Sequence, residues 1–192
     1  MTSAFAVVFA LTREAVPFER RNTGAHIMVS GIGAALARGA AARAVELWQP
    51  KLLIAAGFCG ALAPHLKVGD IVTSPRILSV DHMVCDPAEK ARLREEHDAD
   101  AVDMESAAVE AVCAEHNIPF LAVRAVSDTS DTRLSPAVER VLASGEPSVL
   151  AAMMAILRRP SVLGEFRRLA RDTKRAAEAL AAALAAIVTR PT

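Results

Sequence analysis

The segment from Ala101 to Asp131, AVDMESAAVEAVCAEHNIPFLAVRAVSDTSD, constrains the fold more than any other part of this chain. Its apolar residues Ala107, Ala108, Ala111, Val112 and Ile118 recur at near-helical spacing, and Pro119 bars the helix from continuing. Phe120 to Val126 is then almost continuously apolar, the pattern of a parallel strand covered on both faces. Asp103 and Glu105 therefore fall at one strand-to-helix junction, and Ser127 and Asp128 at the tip of a later strand. In an open α/β sheet those carboxyl ends are where ligands bind. Acids there are costly unless they serve a substrate or an ion pair. They can also complement a helix N-terminus, and position alone leaves both roles open for Asp103 and Glu105.

The rest of the chain extends this pattern. Ala4 to Leu11 reads as a first strand, and Glu14 follows it as a third acid near a strand tip, where the helix dipole alone would also favour it. His26 to Ser30 reads as a second strand, ending in Ser30-Gly31-Ile32-Gly33 before an alanine-rich helix from Ala34 to Trp48. That turn lacks the third glycine of a dinucleotide fingerprint and the lysine of a P-loop; it either aims amides at a ligand or simply packs closely. A third strand, Lys51 to Ala56, runs into Gly57-Phe58-Cys59-Gly60, glycines that suit a ligand pocket and a plain turn equally well. Cys59 beside them reads as a small apolar filler. Leu66 to Thr73 predicts a turn and a strand, Arg76 to Val84 a further strand, and Pro87 to Glu96 a charged helix whose charges form a solvated face. A helix opens at Ser135-Pro136, and the last helix spans Ser161 to Val188 with an apolar face for core or subunit contact. The expected architecture is a single domain over residues 1–192, three-layer α/β/α, with a mixed and mostly parallel sheet flanked by helices.

Composition excludes several functions. Lys plus Arg and Asp plus Glu balance at 22 each, and aromatic residues are 4% with no Tyr, which leaves neither a basic field nor stacking platforms for nucleic acid. Three cysteines without CxxC spacing suit reduced thiols in the cytoplasm. The first residues lack a basic leader, and the apolar run Ala179 to Val188 is about ten residues against the roughly 20 of a membrane span, so no membrane anchor is expected. The five histidines never form a ligand pair, and no GxSxG is present, so neither a metal, a cofactor nor a serine nucleophile is expected. What remains is a set of carboxylates, Glu14, Glu105 and Asp128, each near a predicted strand tip. Such a set suits cleavage of a glycosidic bond through an oxocarbenium-like sugar.

VDMESAAV followed by PFLAVRAVSD, with GIG upstream and an apolar strand plus glycine segment before VGDIV, resembles the purine nucleoside phosphorylase and 5'-methylthioadenosine/S-adenosylhomocysteine nucleosidase superfamily. The resemblance implies that Asp128 holds or protonates the purine N7, steadied by Ser127, and that Glu105 binds the ribose hydroxyls with Met104 packed on the sugar. It implies that Glu14 orients the attacking water, that Met83 and Val84 line the base pocket, and that the protein is a homodimer. Two departures stand out: an excursion of several tens of residues normally follows VGDIV, and Phe58 stands where phosphorolytic members carry a small hydroxyl residue. A benzyl group cannot donate to phosphate, which points to water as nucleophile, with Arg13 or Arg38 as the cations that phosphate would need. The downstream pattern resembles the short bacterial hopanoid-associated phosphorylases, which implies an adenine nucleoside with a modified, apolar 5' group. A nucleosidase is the first expectation; a phosphate-dependent phosphorylase and a catalytically silent nucleoside-binding homologue are the alternatives.

Overall fold

A computed structural model describes residues 4–133, 135 and 162–189. Its sheet is built around β3 (Leu52–Ala61), whose first half pairs in parallel with β1 (Phe5–Phe9) along one edge. β2 (His26–Val29) continues the sheet beyond β1, also in parallel. The second half of the same β3 edge is taken by β6 (Ala101–Asp103), which runs antiparallel to β3 and pairs Val102 with Gly60. β5 (Ile77–Ser79) lies parallel beyond β6. The other edge of β3 carries β7 (Phe120–Asp128) in parallel, and β4 (Ile71–Thr73) closes that side antiparallel to β7. The sheet is thus mixed and mostly parallel, as expected.

Both faces of the central strands are covered, which is why they read as apolar runs rather than alternating patterns. On one face Val7, Phe9, Ile54, Ala56, Val123 and Ala125 pack with α1 (Thr12–Glu19) and α5 (Val162–Val188). On the other face their neighbours Ala6, Val8, Leu53 and Ala55 pack with α2 (Ala34–Trp48) and α4 (Ser106–Glu115). The period of two that divides these sets is the strand pleat itself. The apolar side of α5, including Ala176, Leu180, Ala181 and Leu184, is core. α3 (Pro87–His97) lies outside these layers, its N-cap Asp86 accepting from the amide of Ala88.

Three expectations need correction. Strand three does not end at Ala56: Gly57 to Gly60 are strand residues, because β7 and β6 supply hydrogen-bond partners along their whole length. The strand expected over Arg76 to Val84 is only Ile77–Ser79, since its one partner, β6, is three residues long. Asp103 ends a strand that runs against β3, so it reaches the site from the opposite direction to the tips of β1 and β7. The helix expected to open at Ser135-Pro136 lies, beyond Ser135 itself, outside the described residues. Among the described residues no helix is long and apolar enough to cross a membrane.

Candidate active site

A cavity opens beyond the end of β1 and beside the second half of β3, bounded by α1, β6, the tip of β7 and α5. It is lined by Glu14, Phe58, Cys59, Met83, Val84, Asp103, Met104, Glu105, Ser127 and Asp128, among others. Every sequence-predicted site residue except Gly57 thus borders one space, although they come from five separate stretches of chain.

Its floor is a buried charge cluster. Arg124, in the middle of β7, is 1% exposed; its Nη2 lies 2.6 Å from Asp103 Oδ2 and its Nη1 3.5 Å from Glu105 Oε2. Arg124 Nε and Nη2 also donate to Ser106 Oγ at 3.2 and 3.1 Å. Asp103 accepts further from the hydroxyls of Ser79 and Ser106 and, at 3.1 Å, from the Ser106 amide, so its carboxylate caps α4 as well as pairing with Arg124. Both roles left open for Asp103 are filled within the protein.

Glu105 is the N-cap residue of α4. Its Oε1 accepts from the amide of Gly33 at 2.9 Å, so the Gly31-Ile32-Gly33 turn spends that amide on a protein carboxylate. Glu14 sits in the first turn of α1, 2% exposed, with Oε2 accepting from the Leu11 amide at 2.8 Å and Oε1 from the Phe58 amide at 2.9 Å. Burial pushes its carboxyl up from 4.5 to about 7, and the nearby Glu105 adds to that; Arg124 and the two amides offset only part of it.

Gly57 explains how these groups coexist. A Cβ built there would lie 2.5 Å from Arg124 Nη1 and 3.1 Å from Glu14 Oε1, so the missing side chain leaves the space that guanidinium and carboxylate share. Gly60 does the same for Asp128, whose Oδ2 would lie 3.3 Å from an added Cβ. Close approach, not a turn, is what both glycines serve.

At the end of β7 the pairing register skips Ser127: Cys59 faces Val126 and Gly60 faces Asp128. Bulges of this kind re-aim side chains, and here two consecutive residues, Ser127 and Asp128, both border the cavity. Ser127 Oγ lies 2.9 Å from Asp128 Oδ1 and 3.2 Å from the carbonyl oxygen of Cys59. Lys90 of α3 donates to Asp128 Oδ2 and to the Thr129 carbonyl. Burial pushes the Cys59 thiol far above its usual range, which keeps it a neutral filler.

Sequence reasoning missed several contributors, among them Arg124, Lys90, Leu169 and Thr173. Arg124 was legible as a lone cation in an apolar strand. Lys90 was not, because α3 reads as a uniformly solvated helix, and the structure corrects that reading by turning Lys90 inward. Leu169 and Thr173 border the cavity only because α5 packs beside it. Of the two candidate cations, Arg13 borders the cavity, whereas Arg38 is on the surface, its Nη2 donating to both Glu115 carboxylate oxygens at 2.7 and 2.8 Å, and does not border the cavity. Among the described residues no cluster of three or more His, Cys, Asp or Glu is arranged to hold a metal.

The family model described as the phosphorylase superfamily matches this chain over residues 19–77 and 74–158. The two matched pieces meet where Thr73 runs almost directly into β5, the point at which the expected excursion is missing. Solved structures share the fold at low identity. The 5'-methylthioadenosine/S-adenosylhomocysteine nucleosidase of Neisseria meningitidis, in complex with methylthio-immucillin-A, is 21% identical, with 98% of this chain and 99% of that chain covered and a TM-score of 0.70. Futalosine hydrolase of Helicobacter pylori is 17% identical, with 98% of each chain covered and a TM-score of 0.71. The 5'-methylthioadenosine/S-adenosylhomocysteine nucleosidase of Campylobacter jejuni is 18% identical, with 95% and 97% covered and a TM-score of 0.68.

Proposed function

Since this chain belongs to the phosphorylase superfamily, we propose that it is a purine nucleosidase, hydrolysing the N-glycosidic bond of an adenine nucleoside with a modified 5' group and releasing the free base. The observation that carries this reading is the convergence of Glu14, Glu105 and Asp128 on one cavity whose remaining walls are largely apolar. Similar solved structures include 5'-methylthioadenosine/S-adenosylhomocysteine nucleosidases and a futalosine hydrolase.

In this reading water attacks the anomeric carbon as the bond to the purine breaks and its electron pair passes to the base. Glu14 orients the water and takes its proton, a task suited to a carboxyl that titrates at about 7. Asp128, steadied by Ser127, supplies a proton to the purine N7. Glu105 accepts from the ribose hydroxyls with Met104 against the sugar, and the carboxylates stabilise positive charge growing on the ring. Met83 and Val84 flank the base. Arg124 and Gly57 act from beneath, holding Glu105 and leaving room for Glu14. Phe58 and Leu169 give the cavity an apolar wall, which suits an apolar 5' substituent. The chain works as a cytoplasmic homodimer with water as its co-substrate.

One observation favours phosphorolysis as a second reading: Arg13, an exposed residue, borders the cavity. The test is adenine release from 5'-methylthioadenosine, S-adenosylhomocysteine, adenosine and an adenosine with a long apolar 5' group, each with and without phosphate. Release without phosphate is expected. Release only with phosphate, with ribose 1-phosphate or its 5' derivative as product, makes the protein a phosphorylase; adenine binding without release makes it a silent homologue.

A further inference from the structure

α3 is a polar surface helix with one inward face. Of its eleven residues only Lys90 and Leu93 are buried, and Lys90 is 0% exposed. Lysine is almost never fully buried unless paired, and withdrawing an ammonium from water costs more than burying an apolar chain of the same length. An apolar residue beside Leu93 would hold α3 to the protein at lower cost, so packing alone does not account for a lysine here.

Lys90 Nζ reaches the end of β7, where it donates to Asp128 Oδ2 and, at 2.9 Å, to the carbonyl oxygen of Thr129. The other Asp128 oxygen, Oδ1, lies 2.9 Å from Ser127 Oγ. The carboxyl group is therefore gripped through one oxygen by α3 and through the other by the bulge in β7. Asp128 retains 19% side-chain exposure against 0% for Lys90, so Asp128 is the one of the pair that meets the cavity contents. Other titratable groups close enough to feel the ammonium are Asp131 and the Cys59 thiol, from the segment after β7 and from β3.

We propose that Lys90 is a positioning residue for the leaving-base end of the site, fixing the plane of the Asp128 carboxyl so that it meets the purine edge in one orientation. The proposal rests on the reading of Asp128 as the group that meets the base. Adenine presents an acceptor, N7, and a donor, its amino group, side by side on one edge. A carboxyl serves both only when its plane lies along that edge, and a carboxyl free to rotate would lose that alignment.

The experiment compares the full-length protein with Lys90→Met and Lys90→Gln, reading kcat and KM for base release, adenine Kd by calorimetry, circular dichroism and the melting temperature. A misplaced catalytic group costs up to about 10²-fold, so kcat should fall roughly 10- to 100-fold with KM little changed, and adenine should bind more weakly. In the Asp128→Asn background, Lys90→Met should lower kcat no further, because two residues acting as a unit are non-additive. Folded variants with wild-type kcat and adenine affinity and only a lower melting temperature would overturn the proposal, leaving Lys90 as a pin for α3. So would losses that multiply in the double variant. Should Lys90→Met not fold, Lys90→Gln, which stays polar but lacks the charge and is one bond shorter, carries the same cycle. If the wild-type protein releases no base from any nucleoside, the nucleosidase reading fails by itself. Adenine Kd then decides for Lys90: weaker binding in the variants supports its role, and unchanged binding overturns it.

Discussion

The amide of Phe58 donates to Oε1 of Glu14 across 2.9 Å, joining the middle of β3 to the first turn of α1. The Leu11 amide holds the other oxygen, so Glu14 is fixed at both ends while being almost sealed from water. A carboxyl in that setting answers to pH in the opposite sense from a surface acid.

Because burial raises the Glu14 carboxyl from 4.5 to about 7, the folded protein binds more protons than the unfolded chain across that interval. Its contribution to stability is complete below pH 4.5 and is lost as the pH rises through about 7. At about 1.4 kcal/mol per pH unit the loss amounts to roughly 3 kcal/mol. Urea unfolding of the wild type and Glu14→Gln at pH 5 and pH 8 checks this: the wild type should lose stability relative to the variant on going to pH 8. A constant difference between the two proteins would contradict the raised value.

The same titration should govern turnover. With Glu14 as the base that takes a proton from water, kcat/KM rises with pH through about 7. Glu14→Gln should remove that limb and lower the rate about 10²- to 10⁴-fold. An unchanged acid limb in Glu14→Gln would take Glu14 out of the chemistry.

In the proposed mechanism Asp128→Asn removes the group that protonates the leaving base. Turnover should fall by about 10² to 10⁴ while the protein still binds adenine. Quenched-flow or steady-state adenine release measures it, and wild-type turnover would exclude Asp128 from the mechanism.

Arg124→Met leaves the Asp103 and Glu105 carboxylates buried without their shared cation. Breaking a buried pair in this way costs roughly 3–5 kcal/mol, so the midpoint of chemical denaturation at neutral pH should drop markedly. A loss below about 1 kcal/mol would mean that water reaches the cluster.

Gly57→Ala tests the shared space directly. The new methyl would lie 2.5 Å from Nη1 of Arg124, whose guanidinium Asp103 holds through Nη2, and 3.1 Å from Glu14 Oε1. Overpacking of this kind typically costs about 1–3 kcal/mol, and the displaced Glu14 should also lower kcat. A variant with wild-type stability and turnover would show that the floor of the site yields easily.

Much of this was legible along the chain. The apolar runs of β1, β3 and β7 and the breaks at Pro119 and Gly33 are local signals, and they suffice for a layered α/β fold with acids near strand ends. The length of β3 was not legible, because whether Gly57 to Gly60 pair or turn depends on partners from residues 101–103 and 120–128. The short β5 and the inward turn of Lys90 belong to the same class of fact: each depends on what the neighbouring element offers.

Local sequence dictated which segments prefer strand or helix, since side-chain periodicity and backbone sterics act over a few residues. It also determined which chemical groups were available to the site, above all Glu14, Glu105 and Asp128. The state of such groups was set by folding. Three acids from α1, β6 and the N-cap of α4 meet one guanidinium from β7 in a space left by a glycine of β3. Desolvation and Coulomb energy depend on those through-space distances, and spacing along the chain carries no record of them.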